Sequence, residues 1–279
     1  MISENISELS KNLVLGKKTA YETRYNADLL QTVPRSLNRN TLNISTPFYG
    51  YDVWHHYEIS YLNFRGRPEV AVGVIYVPAD SECIIESKSL KLYFNSFNMT
   101  KFLNINAVKS TVENDLSRAL GTTVTVELFR PSDTPQSFEF GRLDAVNLDE
   151  LDIEVSQYAL HPDFIVQEKS GEVVTEALKS DLLKSNCLIT GQPDWGTIYV
   201  KYTGKKINHE GLLQYIISMR THNEFHEHCV ERIFTDIANR CDVSYLEVRA
   251  FYTRRGGLDI NPVRATHELP YDSLRLIRQ

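Results

Sequence analysis

The sequence predicts an α+β protein made of two similar halves, and three observations predict it. Runs rich in β-branched and aromatic residues, EVAVGVIYV at 69–77 and GTIYVKY at 196–202, read as strands at matching places in the two halves. Each is followed by a second run, SKSLKLYFNSF at 87–97 and GLLQYIISM at 211–219, whose pattern suits either a helix or a strand. Placing Tyr93 on Tyr215 also places Leu90 on Leu212 and Ser96 on Ser218, a register that points to internal duplication. Between the halves, residues 131–150 are polar, hold two prolines and lack a sustained period, as a connector does.

The later elements of each half follow the same order. Val108, Val112, Leu116 and Leu120 recur at four-residue steps before Gly121, the pattern of an amphipathic helix with a glycine stop. Phe225, Cys229, Ile233 and Ile237 repeat it, and Thr221 and Glu224 are spaced as a capping box for that second helix. Alternating runs, TVTVELFR at 123–130 and YLEVRAFYTR at 245–254, close the halves as strands. The shared pattern is strand, strand, helix, strand, in two modules at about 1–140 and 150–279.

Composition narrows the function classes. A chain of 279 residues with 42% hydrophobic and 24% charged content suits one large or two modest globular domains. A net charge of -6 and a pI near 5.8 argue against a surface that coats nucleic acid, which needs clustered Lys and Arg. The N-terminus lacks the basic and apolar regions of a signal peptide and no run is long enough to cross a bilayer, so a cytoplasmic protein without membrane contact is expected. Cys83, Cys187, Cys229 and Cys241 are widely spaced with no CxxC pair, which disfavours a disulfide framework or a zinc ribbon. No GxGxxG follows a strand and no GxxxxGK[ST] occurs, so a nicotinamide cofactor would be held by other means.

Four segments carry candidate chemistry. In LLKSNCLITGQPDWG, residues 182–196, Cys187 is followed seven residues later by Asp194, and polar neighbours, Lys184 above all, favour a thiolate. The plainer reading is a buried cysteine acting as a small hydrophobe. Residues 222–229, HNEFHEHC, bring His222, His226 and Cys229 to one helical face, a possible zinc set, although no HExxH or CxxC companion accompanies it. Hydrogen bonding of Glu227 to adjacent N–H donors of a planar heterocycle is the better use of this cluster, against the plainer reading of an exposed helix carboxylate. YTRRGGLDINP at 252–262 offers guanidinium groups and glycines to a phosphate, or is a turn ending a strand. Glu86, Ser87, Lys88, Ser89 and Lys91 combine a carboxylate with hydroxyls and cations that suit a heterocycle or a phosphate, or form a charged edge.

CLITGQPDWG, ESKSLKLYFNSF, HNEFHE and TRRGGLDINP together resemble the NADPH-dependent 7-cyano-7-deazaguanine reductases, which turn a nitrile into a primary amine in queuosine biosynthesis. LLQTVPRSLNR at 29–39 is similar to the longer, two-module form of that family. The resemblance implies two tandem tunnelling-fold modules, each an antiparallel sheet backed by helices, in a homodimer. It implies Cys187 as the nucleophile that forms a covalent thioimide and Asp194 as the general acid. Ile85, Glu86, Ser87, His226 and Glu227 match substrate contacts, and Ser87, Lys88, Arg255 and Gly256 match contacts to NADPH, two of which are consumed per turnover. Phe225 and His226 are placed to shield the imine between the two reductions. No resident metal and no direct nucleic-acid binding are expected. Two readings remain beside this one: a metal-dependent tunnelling-fold cyclohydrolase-like enzyme acting on a purine or pterin, with Cys187 and His226 as ligands, and a purine-binding module without catalysis.

Overall fold

Alternating apolar runs settle as strands when one face can be covered by helices, and here they join into one sheet. The computed structural model describes residue 13 and residues 21–279. A short ribbon pairs β1 (Thr32–Pro34) with β4 (Cys83–Ile85). The main sheet takes β2 (Tyr49–Leu62), β3 (Pro68–Pro78) and β5 (Thr125–Phe129) from the first half. From the rest of the chain it takes β6 (Val146–Asn147), β7 (Val173–Ser180), β8 (Lys184–Asn186), β9 (Pro193–Lys205), β10 (Val243–Tyr252) and β11 (Leu258–Ala265). Its order is β5-β3-β2-β11-β10-β9-β7-β6, with β8 pairing on β9, and every pairing is antiparallel except β6 beside β7.

The two ambiguous runs are helices, α1 (Ser87–Asn95) and, in the second half, α3 (His209–Ser218). Leu90, Tyr93, Phe94 and Phe97 of the first run are all buried, which is helical spacing. The expected order is therefore corrected to strand, helix, helix, strand, preceded in the first half by β2 and in the second by β7. The other helices are α2 (Ile105–Leu120) and α4 (His226–Arg240). Val108, Val112, Leu116 and Leu120 lie in the core, and α2 stops at Gly121, whose φ of 65° is left-handed. The helices cover one face of the sheet in two apolar clusters, one per half, while a smaller cluster on the other face takes Phe138 from the connector.

The register that aligned Tyr93 with Tyr215 recurs in side-chain chemistry. Tyr93 donates to Asp115 Oδ2 at 2.7 Å on α2, and Tyr215 donates to Asp236 Oδ2 at 2.7 Å on α4. Ser96 Oγ donates to Tyr93 O at 2.6 Å, and Ser218 Oγ to Tyr215 O at 2.7 Å. The capping box is not formed. Thr221 lies in a 3-10 turn and donates to Tyr158 O, while the backbone N–H of Glu224 donates to Asn186 O and keeps that segment extended, so α4 begins only at His226.

The halves meet at β2 and β11, paired over eight residues from Leu258 and His56 to Ala265 and Tyr49. Backbones approach closely here: Gly50 has φ 142°, and a Cβ on it would lie 1.9 Å from Val263 O, so no larger residue fits. β11 also carries Pro262, which cannot donate to a ladder. Pairing with β10 covers only Val263 to Ala265, and beyond it the Asn261 side chain accepts from Tyr252 N at 3.0 Å in place of a backbone carbonyl.

Behind this joint lies a buried charge cluster. Arg264 donates to Asp52 Oδ1 at 2.8 Å and to Glu231 Oε1 on α4 at 2.8 Å. Arg35 donates to Asp52 Oδ2 at 2.6 Å, and Arg39, in the single helical turn Ser36–Arg39, donates to Glu231 Oε1 at 2.7 Å. Burial alone would raise the Glu231 pKa, but Arg264, Arg39 and Arg35 outweigh it and hold it at about 2. A carboxyl held below its ordinary 4.5 stabilises the fold above that pH and loses the contribution as pH falls toward 2. Glu231→Gln is expected to cost roughly 3–5 kcal/mol at pH 7 in urea unfolding, because it strands buried arginines. The deficit should shrink below pH 4.

Candidate active site

Cys187 sits at the tip of a hairpin. β8 pairs with the start of β9, setting Ser185 opposite Asp194, and the six-residue loop between them is closed by Cys187 N–H to Gln192 O at 2.8 Å and Gly191 N–H to Cys187 O at 3.0 Å. Strand alternation turns Asp194 inward, 3% exposed, and Trp195 outward, where Arg220 lies over its ring. Two side chains hold Asp194 Oδ1: Arg255 Nη2 at 2.5 Å and His226 Nε2 at 3.2 Å. Lys184, expected to favour a thiolate, is committed elsewhere. Its ammonium donates to Asn186 Oδ1 and Arg220 O, each at 2.6 Å, and it lies outside the cavity wall.

The HNEFHE segment reaches the same place because it is laced to β8. Asn186 N–H donates to His222 O at 2.8 Å and Glu224 N–H to Asn186 O at 3.0 Å. The Glu224 carboxylate is gripped by Arg232, and although burial would raise its pKa, His222 and Arg232 hold it below the usual range. His226 and Glu227 then open α4. The His226 ring stacks on Tyr252 with centroids 3.8 Å apart and an interplanar angle of 7°. Glu227 is 2% exposed, and its pKa is pushed up to about 7 by burial and by the nearby Asp52, against the opposing effects of His226, its own backbone N–H and Arg35.

The first half supplies the opposite wall. Ile85 ends β4, and Ser87, Lys88 and Lys91 face the cavity from α1. Glu86 caps that helix, accepting from Lys88 N and Ser89 N at 2.7 Å each, so both of its oxygens are engaged and it stands behind the wall. The RRGG run is a two-residue hairpin turn joining β10 to β11, with Gly256 and Gly257 both at positive φ. It is thus the strand-ending turn, and it also presents Arg255 and Gly256 to the cavity. A Cβ on Gly256 would lie 1.8 Å from Lys91 Nζ.

Together these residues enclose a cavity of about 370 Å³. Cys187, Asp194, Ile85, Ser87, Lys88, His226, Glu227, Arg255 and Gly256 all line it; of the catalytic, substrate and cofactor positions that the resemblance implies, Glu86 alone does not, and Lys184, Ser89, His222 and Cys229 also lie outside its wall. Thr190, Gln192 and Thr253 line it too and were missed; the first two share the Cys187 loop, and their proximity in sequence was the available signal. The possible zinc set does not form. His222 pairs with Glu224, His226 faces Asp194, and Cys229 is buried in the core, its thiol pushed up to about 12 by burial. Among the described residues no three His, Cys, Asp or Glu gather around one point, and no helix is long and apolar enough to cross a membrane.

Comparison with known proteins gives the family of the chain. Residues 21–128 match the family described as nitrile reductase, 7-cyano-7-deazaguanine-reductase N-term, and residues 193–271 match the family described as QueF-like protein. The chain is 51% identical over 283 residues to the NADPH-dependent 7-cyano-7-deazaguanine reductase of Legionella pneumophila (strain Corby), an alignment covering 100% of this chain and 98% of that protein. The chain belongs to that reductase family. A protein of the same name from Legionella pneumophila (strain Lens) is 50% identical over 284 residues, with 100% and 98% covered. Another from Cupriavidus pinatubonensis is 48% identical over 276 residues, with 97% and 99% covered. The metal-dependent alternative is therefore not favoured, since the family is a nitrile reductase family and Cys187 and His226 acquire no third ligand among the described residues.

In this nitrile reductase, the raised Glu227 pKa has a sign that stability measurements can read. A buried acid whose folded pKa lies above its unfolded value costs stability above that pKa, and the cost fades as pH falls through it toward 4.5. Glu227→Gln is therefore expected to raise the melting temperature of the ligand-free protein at pH 8 and to leave it nearly unchanged at pH 5.

Proposed function

We propose that this chain reduces the nitrile of 7-cyano-7-deazaguanine to the primary amine with NADPH, through Cys187 as nucleophile and Asp194 as proton source. One observation carries the assignment of residues: the thiol and the buried carboxylate stand on one hairpin and face one cavity with Glu227. Attack by sulfur on the nitrile carbon makes a C–S bond and turns C≡N into C=N. The Asp194 carboxylate takes the thiol proton as sulfur attacks and passes it to the nitrogen, leaving a thioimide that accepts hydride more readily than the nitrile. Asp194 is held for this by His226 and Arg255, within the cavity and away from bulk water.

Glu227 accepts the adjacent N–H donors of the guanine-like edge, with His226 beside it on a Tyr252 platform. Glu86 acts through the cap that fixes Ile85, Ser87 and Lys88 in the wall. Ser87, Lys88, Arg255 and Gly256 suit NADPH without a Rossmann fold, because cations and a glycine backbone lacking a Cβ meet at one edge of the cavity. When bound, NADPH supplies two hydrides per nitrile, the four electrons that reach an amine. Phe225 packs against the cluster of Val33 and Ile84 together with Ile189 of the Cys187 loop, and with His226 it shields the imine from water.

The same reading makes residues 1–140 and 150–279 two tunnelling-fold modules and the chain a cytoplasmic homodimer that binds no nucleic acid. The repeated Tyr–Asp bonds support the modules. The outer edge of β5, which carries no further strand among the described residues, supports assembly.

Mass spectrometry of the protein mixed with 7-cyano-7-deazaguanine and no NADPH should show a covalent adduct on Cys187, lost together with turnover in Cys187→Ala; an adduct that persists in that variant would overturn the assignment. Asp194→Asn should slow turnover by roughly 10²- to 10⁴-fold while noncovalent binding is retained. NADPH oxidation should appear only when the nitrile is present.

A further inference from the structure

We propose that Arg35 is a positioning residue for substrate recognition, the surplus cation of a buried cluster that lets Glu227 meet the heterocycle as a carboxylate. This inference rests on the reading of Glu227 as the heterocycle contact. The cluster behind α4 holds three guanidinium groups, Arg35, Arg39 and Arg264, against two carboxylates, Asp52 and Glu231. Four of the five side chains are at most 1% exposed, and Arg39 is 24% exposed, so water does little to neutralise the surplus. Glu227 lies one helical turn before Glu231 and is the next carboxylate along that face. With Glu227 ionised, three carboxylates balance three guanidinium groups.

Arg35 is the member from the first half that reaches both carboxylates of the cluster. Its Nη2 donates to Asp52 Oδ2 at 2.6 Å, its Nη1 points at Glu231 Oε1 at 3.5 Å, and its Nε donates to Ser81 Oγ at 3.1 Å, so it is locked from three sides. Asp52 opposes ionisation of Glu227 and Arg35 favours it, so the two partners of one ion pair act on Glu227 in opposite directions. The other charges around the carboxylate are Arg264 from β11, His226 and Glu231 on its own helix, and Lys88, Lys91, Arg255 and Asp194 across the cavity. None of the cross-cavity groups belongs to the cluster. The reductase thus reads its substrate with a carboxylate from the second half whose charge is supported by an arginine from the first, contributed by the VPRSLNR segment.

The test is the pH dependence of noncovalent binding of 7-cyano-7-deazaguanine, measured by calorimetry on the full chain in a Cys187→Ala background. Binding should rise with pH on the acid side as Glu227 ionises. Arg35→Met should move that midpoint up by about one pH unit, and Asp52→Asn should move it down, since each removes one sign of charge near Glu227. A merely structural lesion in the cluster would not move the two midpoints in opposite directions. An Arg35→Met midpoint that stays or falls overturns the inference. If that variant does not fold, Arg35→Gln takes its place, a rise in the midpoint supporting the inference and a fall or no change overturning it. Glu227→Gln separates the two levels. If it keeps the acid limb, the reading of Glu227 as the heterocycle contact fails; if it loses the limb while Arg35→Met leaves the midpoint in place, only the role of Arg35 fails.

Discussion

Arg264 on β11 reaches Asp52 on β2 through Nη1 and Glu231 on α4 through Nη2 and Nε, while Arg35 and Arg39 hold the same two carboxylates from the other side. Charges removed from water this completely are tolerated only when each finds its partner, because a single unmatched member leaves a buried charge with no solvent to screen it. The cluster therefore has one acceptable arrangement. It requires β2 and β11 to pair in their observed register, α4 to dock so that Glu231 faces inward, and the segment through Arg35 and Arg39 to lie across the joint. A one-residue slip between β2 and β11 would leave Arg264 and Asp52 on opposite faces of the sheet.

The cavity inherits its shape from that arrangement. Docking α4 by Glu231 places His226 and Glu227, at its first turn, at the boundary between the halves. The β10–β11 turn brings Arg255 back over Asp194, and the ribbon of β1 and β4 delivers Ile85 and the start of α1 to the opposite wall. A site shared between two halves is favourable for a ligand that must be surrounded, since each half supplies a wall that neither has alone. The two halves differ where this matters. Glu86 and Asn208 both cap the first helix of their half, yet only the helix capped by Glu86 turns its first residues to the cavity.

Local features were legible in the sequence. The α2 and α4 stripes, the Gly121 stop and the Tyr93 to Tyr215 register all follow from periodicity, and the site segments stood out because unusual side chains crowd into short runs. The strands at the joint were not legible. β2 holds Asp52, His55, His56 and Glu58 within a seven-residue stretch around Trp54, and β11 holds Asp259, Asn261, Pro262 and Arg264, so neither shows the alternation of an ordinary half-buried strand. Their polar residues are buried because they pair with one another, a property absent from either run taken alone. The start of α4 was misjudged for a similar reason: Thr221 and Glu224 have the spacing of a capping box, but Asn186, distant in sequence, claims the backbone of Glu224 first.

What the sequence by itself determined is the class of the fold, its repetition, and most of the small set of polar and ionisable residues that line the cavity. Those properties depend on residue type and on spacing within one or two turns of helix or one strand. The tertiary structure alone decided that Glu86 is spent on a helix cap, that the Lys184 ammonium is spent on Asn186 and Arg220, and that Glu227 shares a charge balance with Arg35, 192 residues earlier in the chain. The physical reason is that burial and charge pairing are set by whichever groups meet in space, and residues far apart in the chain leave no mark on each other's local pattern.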